Sequence, residues 1–230
     1  MNISSCNSRK NIEIRPLFKG LSHLLAFIFY LANFRFLVDN TPTKIQFPIM
    51  TYLITLLGHF ACSAFLHMIN WSDDWVIYPR RLDHVIIFFK ILATYYVAIS
   101  TVMMDMNPLV LQVVIIGTLF GIINRLMFTD APSWVIALPY FINGWAILLD
   151  PKAILSLIQR LPLGSLLCLL SGIMYSIGGY IYIKKSPTLS PKYFGYHELF
   201  HIFSILGTSG FVLFTFKYAI PWYIKYHNVL

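Results

Sequence analysis

Charge is the scarcest feature of this 230-residue chain, in which Asp and Glu together number 9 and charged residues make up only 11%. Soluble globular domains carry about 25% charged residues, so the composition excludes an ordinary soluble domain. Hydrophobic residues make up 58% of the chain, and its mean hydropathy is +0.70. The sequence therefore predicts an integral membrane protein.

Cysteine is rare as well, with only Cys6, Cys62 and Cys168. Their spacing matches no thiolate metal site, so we expect neither a disulfide nor a cysteine ligand. No repeat or low-complexity tract is present. The first apolar stretch lacks a small-residue cleavage site, so we expect it to remain in the protein as a membrane span rather than be removed as a signal peptide.

Seven apolar stretches are long enough to cross the hydrocarbon core as helices. They cover roughly residues 20–38, 46–68, 83–103, 108–128, 131–149, 163–183 and 197–218. The segments between them are too short to form another domain. The prediction is an all-α membrane protein, a bundle of seven transmembrane helices in a single domain over residues 1–230.

The basic residues predict the orientation of the bundle. With a cytoplasmic N terminus, ten Lys and Arg residues lie on the cytoplasmic side and six on the other, with Lys90 inside a span. Because positive residues favour the cytoplasmic side, we expect the N terminus inside and the C terminus outside, in the cell or inner membrane. The net charge of +8 then indicates topology and contact with anionic lipids. We expect membrane lipids, and no nucleic acid, as partners.

Small residues mark two of the spans. The sixth span carries one at every fourth position, and the last span has Gly207 and Gly210. Such stripes let neighbouring backbones approach closely. We interpret them as packing features; those of the sixth span are Gly164, Cys168, Gly172 and Ser176.

Polar residues from three separate spans are predicted to meet at one membrane depth. His197 and His201 open the last span, four residues apart and so on one helix face. Ser63 and His67 lie on one face at the end of the second span, and Asp83 begins the third. Under the predicted topology all these ends are cytoplasmic. Polar clusters at a membrane boundary are functional by default.

This arrangement favours zinc. Three neutral imidazoles, from His67, His197 and His201, with a water molecule as fourth ligand, form the open tetrahedral geometry of catalytic zinc. Calcium or magnesium would require more oxygen ligands. Asp83 and Ser63 are then placed to orient the zinc-bound water and accept its proton near the cytoplasmic face.

Other roles remain open for several polar residues. Asp83 could cap the third span, and Ser63 could bond back to the carbonyl of His59. His59 lies two turns deeper than His67, so we expect it to be hydrogen-bonded in the interior or to support a ligand. His23 and His84 are expected to pack or to support a ligand.

Several ordered motifs together resemble the hemolysin III family, relatives of the progestin and adiponectin receptors and, more remotely, of the alkaline ceramidases. The segments that carry the resemblance are residues 15–23, 63–67, 80–84, 172–178 and 194–201. Two features depart from the family pattern. Residues 92–97 lack its glycine and its helix-bending proline, and Lys90 is a buried cation expected to be neutral, paired or reaching toward Asp83.

The resemblance implies a seven-helix protein with zinc near the cytoplasmic face, held by His67, His197 and His201, with Ser63 and Asp83 around the bound water. It also implies lipid amide hydrolysis as an activity of the wider superfamily.

Three functions remain open from the sequence. The first is a zinc-dependent hydrolase of lipid amides or esters. The second is a non-enzymatic receptor-like or membrane-lipid-homeostasis protein with a structural zinc. The third, which we favour least, is an intramembrane zinc protease with Glu198 as base, because a protease has no use for the separate Ser63 and Asp83 motifs.

Overall fold

The computed structural model describes residues 18, 20–128, 131–190 and 192–227, and helices dominate this part of the chain. The α-helices are α1 (Leu21–Asp39), α2 (Thr43–Met68), α3 (Ile77–Thr101), α4 (Pro108–Met127), α5 (Ser133–Gly144), α6 (Pro151–Arg160), α7 (Pro162–Lys184), α8 (Tyr196–Phe214) and α9 (Ile220–His227). A 3₁₀ helix spans Ala146–Leu149 and a π-helix spans Thr215–Ala219. The described ranges contain no β-strand, which confirms the all-α prediction.

Six helical stretches are long and apolar enough to cross a membrane. They are α1, α2, α3, α4, α7 and the continuous stretch Tyr196–His227, which contains α8, the π-helix and α9. The protein is therefore a multi-pass integral membrane protein. The fifth predicted span, residues 131–149, is not one long helix. It is divided at Gly144 into α5 with 12 residues and the 3₁₀ helix Ala146–Leu149 with 4 residues.

Helix boundaries differ from the hydropathy-based ranges where polar residues flank the apolar core. The third helix begins at Ile77, six residues before the predicted start at 83. Hydropathy misses this first part because Arg80, Arg81 and Asp83 are polar, although their backbones form helical hydrogen bonds without hindrance. Helix α6 was not predicted as a separate element.

Proline and side-chain caps set several helix starts. Pro108, Pro151 and Pro162 each occupy the first helical position, where the missing N–H costs no intrahelical hydrogen bond. The side chain of Asn107 accepts from Leu109 N (2.9 Å), and that of Asp150 accepts from Ala153 N (3.0 Å). These caps satisfy N–H groups that have no partner within the helix.

Two apolar clusters hold the bundle together. One joins α1, α2 and α3 to α9, with Leu56 and Phe60 fully buried. The other joins α3 and α4 to the 3₁₀ helix, α6 and the end of α8. The predicted small-residue stripe of α7 packs against Trp145. A Cβ on Gly172 would stand 3.2 Å from the Trp145 indole. Trp145 Nε1 also donates to Ser176 Oγ at 3.0 Å.

Some features of the sequence analysis lie outside the described residues. These are Cys6, the Arg15–Pro16 part of the first family motif and the basic residues Arg9, Lys10, Arg15 and Lys19. Cys62 and Cys168 are free thiols.

Candidate functional site

Three histidines converge from two helices that are distant in sequence. His67 is in the last turn of α2, whereas His197 and His201 occupy the first two turns of α8, four residues apart. Each offers a ring nitrogen within 4.8 Å of the others. The centroid of the His197 ring lies 4.5 Å from both the His67 and the His201 ring centroids. The structure thus brings the three predicted metal ligands together.

The donor set fits a zinc ion. His67 Nε2 and His197 Nε2 are 2.9 Å apart. Tetrahedral ligands with bonds of about 2.0–2.1 Å lie about 3.4 Å apart, so these two nitrogens would have to separate by about half an ångström to share an ion. Three imidazole nitrogens are ligands that zinc accepts readily, whereas calcium and magnesium prefer oxygen ligands.

The segment preceding α1 closes one side of the cluster. Gly20 has φ of 84°, and a Cβ at that position would stand 2.9 Å from His67 Cβ. Only glycine is compatible with both the left-handed backbone and this close approach. Three residues later, His23 stacks on His201, with ring centroids 3.9 Å apart and an angle of 14° between the planes.

Asp83 and Ser63 form a buried carboxyl–hydroxyl pair. Asp83 is 8% exposed and Ser63 only 1%, and the Ser63 side chain is near enough to influence the Asp83 carboxyl group. Asp83 Oδ1 has no hydrogen-bond partner in the described structure. The interpretation of Asp83 as a helix cap is wrong, because α3 begins at Ile77 and places Asp83 inside the helix.

Glu198 is directed toward the start of its own helix. Its Oε2 accepts a hydrogen bond of 2.7 Å from Gly195 N, and its side chain is almost fully buried. A carboxylate at this position satisfies an N-terminal N–H group and interacts favourably with the helix dipole. Glu198 therefore stabilises α8 and does not belong to the three-histidine cluster.

The remaining histidines lie outside the cluster. His59 is 3% exposed, and its Nδ1 lies 3.1 Å from Lys90 Nζ. The backbone carbonyl of His84 accepts from Tyr140 OH at 2.9 Å. Among the described residues, the group that could share a metal ion consists of His67, His197 and His201.

The stacking of His23 on His201 agrees with the expectation that His23 packs or supports a ligand, whereas the role of Gly20 was not expected from the sequence. The sequence does show that a glycine, followed three residues later by a histidine, opens the first apolar stretch. Their proximity to His67 and His201 depends on the packing of α1 against α2 and α8, which the sequence does not reveal.

A model of a known protein family matches most of the chain. Residues 12–212 match the family model described as Haemolysin-III related, which covers most of the chain and includes all five residues of the cluster and the carboxyl–hydroxyl pair. The six apolar helices agree with the membrane-integral character of that family. The chain therefore belongs to the haemolysin III-related family of integral membrane proteins.

Proposed function

We propose that this protein is a zinc-dependent hydrolase of lipid amides or esters. The observation that carries the proposal is the cluster of His67, His197 and His201, whose ring nitrogens lie within 4.8 Å of one another at the ends of two membrane helices. The buried Asp83–Ser63 pair adds the carboxylate that a hydrolytic site requires.

Each side chain has a distinct role in this proposal. The three histidines would hold the zinc, which when bound would acidify a water molecule and polarise a carbonyl group. Asp83 would accept a proton from water through its free Oδ1 and return it to the leaving amine or alcohol. Ser63 would fix the orientation of the Asp83 carboxyl group. The water oxygen would bond to the carbonyl carbon as the C–N or C–O bond breaks, so that a fatty acid and an amine or an alcohol would be released.

The location of the histidines favours a lipid substrate. They stand at the end of α2 and the start of α8, both of which are long enough to cross a membrane. A lipid whose carbonyl lies at the level of the headgroups could reach these helix ends from the bilayer. Apolar side chains such as Phe18 and Phe65 are about half exposed and would contact the acyl chains.

A structural role for the zinc is the second candidate. The three histidines come from two helices separated by more than a hundred residues, so an ion shared by them would tie α2 to α8. An intramembrane protease is disfavoured, because its base would be Glu198 and that side chain bonds to Gly195 N.

We also propose seven membrane crossings with the N terminus in the cytoplasm. Helix α5 with 12 residues and the following 3₁₀ helix with 4 residues together span about 26 Å, close to the hydrocarbon thickness of about 30 Å. Trp134, at the start of α5 and 58% exposed, is typical of a membrane interface. The histidine cluster would then face the cytoplasm.

The test compares two variants of purified protein for zinc content and for cleavage of lipid amides and esters. His67→Ala removes one of three ligands and should lose most of its zinc and all turnover. Asp83→Asn leaves the ligands intact, so it should retain about one zinc per chain and a folded bundle. Its turnover should fall by about 10²- to 10⁴-fold, the usual cost of removing a general base.

The matched control is His227→Ala, which removes an exposed histidine near the end of α9 and should keep both zinc and activity. Full zinc occupancy in His67→Ala would rule out the three-histidine site. If zinc-loaded wild-type protein cleaves no lipid amide or ester, the hydrolase is wrong and the structural zinc is the remaining candidate.

A further inference from the structure

Lys90 lies in the interior of the bundle where four helices meet. It belongs to α3, is only 4% exposed, and is surrounded by residues of α2, α7 and α8. Its Nζ lies 3.1 Å from His59 Nδ1, 3.2 Å from Tyr175 OH and 3.3 Å from Thr208 Oγ1. An ionisable residue at such a position in a membrane protein is costly and is a functional candidate by default.

The three contacts match the three N–H groups of an ammonium ion. Tyr175 OH and Thr208 Oγ1 are 2.6 Å apart, and Thr208 Oγ1 donates to Ser204 O at 2.9 Å. When Tyr175 donates to Thr208, both oxygens keep a lone pair for Lys90. His59 can accept at Nδ1 if its proton is on Nε2. All hydrogen bonds of Lys90 are therefore made to neutral groups, which hold the ammonium group in place without balancing its charge.

No carboxylate forms an ion pair with Lys90 among the described residues. The described ion pairs, Arg35–Asp39 and Arg160–Asp105, each have at least one partner more than 90% exposed. A charge left unbalanced in an apolar interior is strongly unfavourable. An ammonium group at Lys90 would therefore need a counter-charge that is near but not in contact.

Asp83 meets this requirement. It precedes Lys90 by seven residues, which places both on one face of α3 with about 10 Å between their backbones. Side chains on a helix lean toward its N terminus, so a lysine at position 90 is directed toward the level of Asp83, close enough for the two charges to influence each other. The titratable side chains around the pair are the thiol of Cys62, the phenols of Tyr140, Tyr175 and Tyr182 and the imidazoles of His23 and His59.

We propose that Lys90 is a tethered counter-ion of Asp83, held back by His59, Tyr175 and Thr208 so that it balances the carboxylate without bonding to it. A direct ion pair would occupy the carboxylate oxygens. The tether instead leaves Asp83 Oδ1 without a hydrogen-bond partner. The proposal rests on the role of Asp83 given under Proposed function, and it makes Lys90 a positioning residue for the proton-accepting oxygen.

The test is a double-mutant cycle on thermal unfolding of the purified protein in detergent, with Asp83→Asn, Lys90→Met and the combined variant. Each single change leaves one buried charge without its counter-charge, so each should lower the melting temperature. The combined variant removes both charges. It should melt at a higher temperature than Lys90→Met alone, because the second substitution removes the unbalanced carboxylate.

A purely structural lysine gives a different result. The hydrogen bonds that Lys90 makes to three neutral groups are lost equally whether residue 83 is Asp or Asn, so the two effects would add, and additive effects would overturn the proposal. If Lys90→Met alone does not fold, the proposal predicts that the combined variant folds. Failure of both variants to fold would overturn the proposal. Lys44→Met, at an exposed lysine in α2, is the matched control and should show no coupling to Asp83→Asn.

The cycle is independent of catalysis. If the wild-type protein cleaves no lipid but the melting temperatures are coupled, the hydrolase is wrong and the counter-ion pair stands. If lipids are cleaved, Lys90→Met should lower kcat while leaving KM nearly unchanged, because the lysine acts through Asp83 and not on the substrate. A change in KM alone would contradict the positioning role.

Discussion

Asp150 links two segments outside the membrane-spanning helices with a single side chain. Its Oδ2 accepts from Asn107 N at 2.7 Å, and its Oδ1 accepts from Ala153 N at 3.0 Å. The backbone N–H groups of Asn107 and Ala153 stabilise the carboxylate and lower the pKa of Asp150 below its ordinary value. One residue thereby caps α6 and fixes the connection between α3 and α4.

Asp150→Asn should lower the melting temperature at neutral pH. Because the pKa in the folded protein is below the value of about 3.9 in the unfolded chain, the carboxylate contributes stability above about pH 4. That contribution is lost as the pH falls through the folded pKa. The difference between variant and wild type should therefore shrink between pH 7 and pH 3.5. Asp105→Asn is the control, since its carboxylate is 92% exposed; a difference for Asp150→Asn that is unchanged by pH would contradict the prediction.

At the scale of elements, glycines in α8 determine how closely α7 and α8 pack. A Cβ at Gly207 would stand 2.7 Å from Tyr175 Cδ2 and 3.0 Å from the backbone oxygen of Ser171. Both distances are shorter than ordinary contacts, and the backbone oxygen cannot move independently of α7. The hydroxyl group of Tyr175 also holds Lys90, so any displacement at Gly207 reaches the polar interior.

Gly207→Ala should destabilise the protein by about 1–3 kcal/mol, the usual cost of overpacking, and thermal unfolding of the purified protein measures this. Gly144→Ala is the matched control, because nothing lies within 4 Å of its Cβ position and alanine is favoured over glycine in a helix. It should be neutral or slightly stabilising. Equal melting temperatures for the two variants would show that α7 and α8 do not pack through Gly207.

For the whole molecule, the number of crossings decides on which side of the membrane the chain ends. With seven crossings and a cytoplasmic N terminus, a reporter joined after Leu230 is exposed outside the cell. With six crossings it stays inside. A second reporter in the connection between α2 and α3, at residues 72–74, should be inside under either count and so serves as the control for orientation. If the reporter at Leu230 and the control reporter are both found inside the cell, the chain crosses the membrane six times and the proposal of seven crossings is wrong.

The sequence predicts the long membrane helices well, but it does not predict where a helix is interrupted. Six of the seven predicted spans correspond to long helices because hydropathy over about 20 residues suffices for a membrane helix. The exception, residues 131–149, is divided at Gly144, since helix ends depend on local hydrogen bonding and not on hydropathy.

The sequence by itself determined the membrane class, the family motifs and the three histidines of the cluster, because helix periodicity and the shared depth of helix ends are local properties that can be read along the chain. Only the tertiary structure decided the partners of Lys90, which are 31, 85 and 118 residues away from it. It also decided the stacking of His23 on His201 and the free oxygen of Asp83. These depend on the rotation of each helix about its axis and on which helices are neighbours, and packing between distant segments sets both.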